Sequence, residues 1–331
     1  MISLRDSLAN IGKSTPFHLR GDLQLHPPSV REATRIMNLP WPPTPLWERR
    51  KVHDFPEENA QGVAYAEGEV WFLSSEWNLF RAIVTGPDPF RPTSISRTKK
   101  VGLRDLLQHT GRNTRDYDHI SDIHWHRHLL FMIARCTRST GAHLLLAVSD
   151  DLELVAFADV PAGLSDSWVA VDPWSGDGFI GSGAGQFYVF DLSEFYDALG
   201  RQAQWPHPVQ LRAAQRALYN VFREDGRTPD TVTSVQGITF SQNGRLYVAR
   251  FDERSGPGAG PWDNLLQVYE TMTGRCLARH KVDFPQTYDE IEGLAMHPSG
   301  ILYVAVAIND LLSSDQFQLH AFLNNDSSTP M

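Results

Sequence analysis

The stretches Gln236-Gly237-Ile238-Thr239-Phe240-Ser241-Gln242-Asn243-Gly244-Arg245-Leu246-Tyr247-Val248-Ala249 and Glu292-Gly293-Leu294-Ala295-Met296-His297-Pro298-Ser299-Gly300-Ile301-Leu302-Tyr303-Val304-Ala305 follow one pattern. Each reads as a short strand, a turn carrying Asn-Gly or Pro-Ser-Gly, and a second apolar strand, which is hairpin chemistry. Three further copies open at Gln61-Gly62-Val63, Ser121-Asp122-Ile123 and Trp168-Val169-Ala170. The five markers at 61, 121, 168, 236 and 292 are spaced 60, 47, 68 and 56 residues apart. Each interval has room for two more strands, as at 265–269 and 276–282 after the fourth hairpin. Four antiparallel strands repeated at such a period make a β-propeller blade. The expectation is an all-β propeller of five four-stranded blades, or six if residues 15–45 hold another.

Leu46–Pro56 resembles Cys276–Pro285, the outer strand that precedes the fifth marker. The earlier stretch is therefore expected to complete the last blade, closing the ring without an open sheet edge. Residues 46–331 form a single propeller domain in this reading, and residues 1–45 an extension that packs on it. Short helical insertions interrupt the repeat at 102–118 and, most extensively, at about 191–232. In the latter, Leu211, Ala214, Leu218 and Val221 recur with the spacing of an amphipathic helix.

The chain has 331 residues, 41% of them hydrophobic and 21% charged, enough to build a core. Its formal charge of −9 argues against nucleic acid or an anionic membrane as partner. The longest apolar runs, 129–134 and 301–308, are of strand length and far short of a bilayer span. The N-terminus shows no charged-then-apolar leader pattern, and the two cysteines, Cys136 and Cys276, have no metal-site spacing. A cytoplasmic protein is expected. Gly181–Gly185 lacks the spacing of a dinucleotide fingerprint, so no nucleotide cofactor is expected. Alternating His124, His126 and His128 straddle a hairpin turn and read as surface residues. The sequence sets no oligomeric state.

In a propeller, the connections entering the inner strands and the loops joining second to third strands meet on one face. The residues at each marker and two positions before it share one side of their strand. They are Asn59 and Gln61, His119 and Ser121, Asp166 and Trp168, Ser234 and Gln236, Glu290 and Glu292. This is a ring of carboxylates, amides and one imidazole at the channel mouth. Carboxylates brought together repel and retain protons unless a metal or an arginine compensates. Arg135 and Arg250, expected at equivalent ends of two second strands near the same face, are the arginine candidates, either pairing with the acidic ring or binding an anionic group of the substrate.

The Glu292-Gly293 step opening an inner strand resembles the SMP-30/gluconolactonase-like and phytase-like propeller enzymes, through short strand openings repeated over 56–310. That resemblance implies a divalent cation, often calcium, held in the channel by inner-strand carboxylates and amides. By it Glu292 would be a metal ligand, with Asp166 and Asn59, and also Gln61 and Gln236, as companions; oxygen donors of this kind suit a hard cation.

The leading expectation is an enzyme acting on a small molecule at the channel mouth by acid–base chemistry, with Glu292, Glu290, Asp166 and His119 as titrating groups. Trp168, Trp77 and Trp262 would supply apolar walls, and Gln61, Gln236, Arg135 and Arg250 polar contacts. Hydrolysis of an ester or lactone with a divalent cation is the first version. A metal-independent cyclase or isomerase is the second, and a glycosidase using two or three channel carboxyls a further one. A non-catalytic propeller binding a ligand or a protein is the rival class. Marker residues that differ from blade to blade favour one central site over several identical ones.

Overall fold

The computed structural model describes residues 47–324 apart from 56–58, 87–93, 139–140, 162–163, 165–167, 184, 203–204, 231, 233, 242–243, 254–261, 283, 285–288, 299 and 309–315. The N-terminal extension, with the stretch considered for a sixth blade, lies outside the described residues. Strand β1 (Trp47–Phe55) comes first in the chain and last in the ring. Blade one is β2 (Ala60–Tyr65), β3 (Val70–Ser75), β4 (Asn78–Thr85) and β5 (Ser94–Gly102). Blade two is β6 (Tyr117–His126), β7 (Leu129–Cys136), β8 (Leu144–Ser149) and β9 (Leu154–Asp159). Blade three is β10 (Val169–Val171), β11 (Gly178–Gly183), β12 (Gln186–Asp191) and, beyond the short β13 (His207–Pro208), β14 (Arg212–Asn220). Blade four is β15 (Val235–Ser241), β16 (Arg245–Glu253), β17 (Trp262–Glu270) and β18 (Cys276–Val282), and blade five β19 (Glu290–Met296), β20 (Leu302–Ile308) and β21 (Gln316–Asn324) with β1 as its outer strand. Each blade is an antiparallel meander, and β13 adds to blade two by pairing parallel with β9. Inner strands β2, β6, β10, β15 and β19 neighbour one another in turn, and β19 returns to β2, so the ring closes at five blades.

The core is divided among the five gaps between blades. Phe72 and Leu79 of blade one meet Ile120, Leu130 and Met132 of blade two. Leu129, Phe131 and Ile133, the intervening residues of the same strand, face Val169, Val171 and Ile180 of blade three. Like clusters join blades three and four, four and five, and five and one. A blade is therefore apolar on both faces, which is why second strands read as unbroken apolar runs rather than alternating ones. Helix α1 (Leu103–Leu107) sinks Leu103, Leu106 and Leu107 into the first gap, and helix α2 (Ser193–Leu199) buries Phe195, Tyr196 and Ala198 in the second.

The helix expected over 211–222 is instead β14, the outer strand of blade three. Tyr188 pairs with Leu218 and Phe190 with Ala213, so four residues, 214–217, stand opposite Val189. Of β14 only Ala214 and Tyr219 are buried. That bulge replaces the two-residue rhythm of a strand with a longer one that mimics a helical period. The histidines also differ from expectation. His126 is buried, its Nδ1 2.6 Å from the Tyr196 hydroxyl, and His124 and His128 are partly buried.

Candidate active site

Four of the five inner strands break register at their marker. The shifts fall between Ala60 and Gly62, Ile120 and Ile123, Val235 and Gly237, and Ile291 and Gly293. The residue left without a ladder partner is the marker itself: Gln61, Gln236 and Glu292, with Ser121 and Asp122 both unpaired in blade two. A bulge turns its extra residue away from the sheet, and here these residues turn into one space. It is a cavity of about 400 Å³ lined by Asn59, Gln61, Glu76, His119, Ser121, Asp122, Arg135, Ser234, Val235, Gln236, Phe251, Glu290, Glu292 and Ala307. Eight of the ten ring positions read from sequence are thus brought together, with Arg135 beside them.

The floor was not anticipated. Where three markers are followed by glycine, blade two carries Asp122, which is 1% exposed. Its carboxylate accepts the backbone N–H of Ile123 at 2.8 Å, of Ile238 at 3.2 Å, and of Leu294. A Cβ on Gly237 would lie 2.8 Å from Asp122 Oδ2, and one on Gly293 2.6 Å from Asp122 Oδ1. The glycines make room, and one carboxyl ties inner strands of three blades. Burial pushes this carboxyl well above its ordinary range, against the three backbone donors.

The acidic wall belongs to blade five. Glu290 and Glu292 are partly buried and hydrogen-bonded to each other through their side chains. Burial, then the neighbouring Glu290, then Asp122 and Glu76 push Glu292 well above the usual carboxylate range. Burial raises Glu290 too, while its bond from Glu292 pulls it down. The pair therefore retains a proton above the ordinary carboxylate range, shared through that hydrogen bond. His119 is pushed down to about 4 by burial and by Arg135, with Asp118 opposing, so it is neutral near pH 7. Arg135 does not pair with the acidic wall. Its Nε and Nη2 reach Asp118 Oδ1 and Oδ2, each at 3.2 Å. Ser234 enters the cavity from a left-handed backbone, φ 56°, an uncommon conformation for a residue with a side chain.

Several expected residues stand elsewhere. Trp168 is buried between blades three and four, and its indole nitrogen has no hydrogen-bond partner among the described residues. Trp77 lies outside the cavity, 41% exposed. Arg250 is buried and donates to Gln267 Oε1 at 2.9 Å; Gln267 in turn donates to Asp230, which also takes bonds from Tyr269 and Arg279. Asp166 and the Trp262 side chain lie outside the described residues.

The misplacement of Arg250 has a register cause. Arg135 pairs with His119, two before its marker, whereas Arg250 pairs with Val235, one before. One step along a strand reverses the face, so the blade-four counterpart of Arg135 is Phe251, whose N–H donates to Ser234 O. Ala307 pairs with Glu290, and the pairing of Ala60 with Ser75 carries on to Asn59 and Glu76. Glu76, Arg135, Phe251 and Ala307 are thus one structural position in four blades. Glu76 also sits in a second-to-third-strand turn, the loop class expected at this face.

Among the described residues, no three histidine, cysteine or carboxyl groups converge as a metal-binding cluster. Four residues of the implied donor set nonetheless line the cavity, Glu292, Asn59, Gln61 and Gln236, and Asn59 Oδ1 is buried without a hydrogen-bond partner among the described residues. No described helix is long and apolar enough to cross a membrane.

Fold and cavity together define a five-bladed propeller with a polar, carboxyl-bearing pocket where its inner strands meet. No protein-family model and no curated protein sequence matches the chain. Solved structures do match in fold. One is CoXyl43, a GH43 β-xylosidase/α-arabinofuranosidase from a compost microbial metagenome in a calcium-free complex with xylotriose. It shares 8% identity over 85% of this chain and 97% of that one, with a TM-score of 0.52. The GH43_1 enzyme from Xanthomonas citri complexed with xylose shares 10% identity over 85% and 93%, at 0.50. The tail fibre of Staphylococcus aureus phage P68 shares 11% over 85% of this chain and 53% of its own length, at 0.49. These neighbours are glycoside hydrolase propellers and a tail fibre, not SMP-30 or phytase-like enzymes, and at such identity they show the fold alone.

Proposed function

We propose that the cavity is an acid–base active site that hydrolyses a glycosidic bond in a short saccharide. The observation that carries this is the hydrogen-bonded Glu292–Glu290 pair, two carboxyls in contact in a cavity that also admits Glu76. Two carboxyls in contact cannot both ionise, so together they form one proton donor. Glu292 gives its proton to the leaving oxygen and Glu290 shares the charge left behind. Glu76, on the turn between β3 and β4, takes the proton of the attacking water. Asp122 has no part in proton transfer, because its oxygens are occupied by backbone N–H groups. Amides of Asn59, Gln61 and Gln236 and hydroxyls of Ser121 and Ser234 both donate and accept hydrogen bonds, which suits a ring of hydroxyls. Neutral His119 and the part of Arg135 not engaged by Asp118 complete that polar lining. An apolar cyclase substrate draws less support, since of its expected walls Trp168 is in the core and Trp77 is outside the cavity.

A second reading, ester or lactone hydrolysis with a divalent cation, is favoured by the unpartnered Asn59 Oδ1. Asn59 and an ionised Glu292 would hold the ion, which would polarise a carbonyl oxygen. A panel of aryl glycosides, aryl esters and lactones, each with calcium and with chelator, separates the two. Glycoside turnover indifferent to chelator, lost about 10²-fold or more in Glu292→Gln, supports the first. Calcium-dependent ester or lactone turnover would replace it with the second.

A further inference from the structure

Beside the cavity, on the same face, a second cleft of about 330 Å³ is lined by Trp77, Gly102, Leu103 and Arg104. Glu76 and Trp77 are the two residues of the turn between β3 and β4, and that turn is anchored on both sides. Ile120 N–H donates to Glu76 O at 2.7 Å, and Leu103 N–H donates to Trp77 O at 2.8 Å. The first bond ties the turn to the inner strand bearing His119, the second to helix α1. One rigid turn therefore offers a carboxyl to the cavity and an indole to the neighbouring cleft. Trp77, at 41%, is the exposed aromatic ring among the described residues, where most large aromatics are buried. Arg104 places its guanidinium 5.7 Å from the indole centroid and makes no ion pair among the described residues. An indole with a planar cation over one face, that cation unpaired among the described residues, is the chemistry that receives on its other face a ring with C–H groups on one face and a carboxylate on its edge.

We propose that this cleft is an outer subsite for a uronic-acid residue of an oligosaccharide whose adjoining ring enters the cavity. The proposal rests on the saccharide reading above and adds a preference for acidic chains. The sugar face lies on Trp77 and its carboxylate meets Arg104. The test is calorimetric binding of a trigalacturonate and of neutral xylotriose to the full chain and its variants, each variant first checked for an unchanged melting temperature. The acidic trisaccharide should bind at least about tenfold more tightly than the neutral one. Trp77→Ala should weaken acidic binding about tenfold, Trp77→Phe should restore most of it, and Arg104→Gln should abolish the acidic preference while leaving neutral binding in place. Equal affinity for the two sugars, or binding indifferent to Trp77→Ala, overturns the subsite. Binding that follows this pattern without any turnover would keep the subsite and remove the hydrolase reading. Turnover of neutral sugars with no effect at Trp77 would do the reverse.

Discussion

In the folded chain Glu292 keeps its proton to a higher pH than it does unfolded, because burial and the neighbouring Glu290 disfavour its charge. The folded state thus binds more protons once pH exceeds the ordinary carboxylate range. By linkage, the stability this group contributes is complete below that range and is lost as pH rises through its folded value. Glu292→Gln removes that loss, so the variant's melting temperature should gain on the wild type's between pH 4 and 8; parallel curves would show that no proton is held there. His126 has the opposite sign. Burial, then Arg127 and His124, push it from 6.5 down to about 3. The unfolded chain accepts a proton that the folded chain refuses, so stability falls as pH drops below 6.5, by about 1.4 kcal/mol per unit for one such group. His126→Gln, which can still meet the Tyr196 hydroxyl, should flatten the acid limb of the stability curve by one proton. Denaturant titrations at pH 6.5, 5.5 and 4.5 read that slope directly, and an unchanged slope would place the acid sensitivity elsewhere.

The inner strands gain their function from being irregular. A regular strand would alternate faces and send each residue into one or the other of the two flanking blade interfaces. The bulges at four of the five markers turn polar residues to the axis, and the glycine that follows three of them lets the backbones of different blades close in. A Cβ on Gly293 would come within 2.6 Å of Gly62 Cα, a backbone contact that no side-chain motion relieves. Gly293→Ala should therefore cost about 3 kcal/mol, at the upper end of ordinary overpacking. Asp122→Ala should cost a similar amount by stranding the N–H groups of Ile123, Ile238 and Leu294. Chemical denaturation checks both, and a loss under about 1 kcal/mol in either would mean that the blades do not depend on this packing. The same irregularity governs how much was legible in sequence. Blade count, ring closure and eight cavity positions follow from the marker repeat, because hairpin turns and apolar runs are local signals. Arg250, Trp168 and the strand over 212–220 did not, because where a bulge falls, and that blade three has none at its marker, is a matter of pairing between strands. Asp122 did leave one, as the aspartate standing where three other markers have glycine.

At the scale of the whole ring, five wedge-shaped interfaces hold one another in place, and the last depends on a strand from the far end of the chain. β1 pairs with β21 from Trp47 opposite Asn324 to Phe55 opposite Phe317. Val52 packs with the cluster joining blades five and one, so the seam is apolar as well as hydrogen-bonded. Nothing covalent spans it, and both native cysteines are free and buried. Opening the seam would expose the edge of β21 and unsettle blade five, whose inner strand carries Glu290 and Glu292. The Glu290–Glu292 pair thus depends on contacts formed by residues more than two hundred positions earlier in the chain. Arg50 and Ala321 stand opposite each other across the seam, within reach of a disulfide if the pair is of the non-hydrogen-bonded type. Joining them through Arg50→Cys and Ala321→Cys closes nearly the whole chain into a loop, for which chain entropy sets a gain of up to about 5 kcal/mol. If separation of β1 is the first step of unfolding, the oxidised variant should also unfold at least about tenfold more slowly than the reduced one. Stopped-flow unfolding in denaturant, with and without reductant, measures this. A disulfide that forms and raises the melting temperature while leaving the unfolding rate unchanged would mean that the ring opens at another interface, and that the seam is not what limits the lifetime of the site.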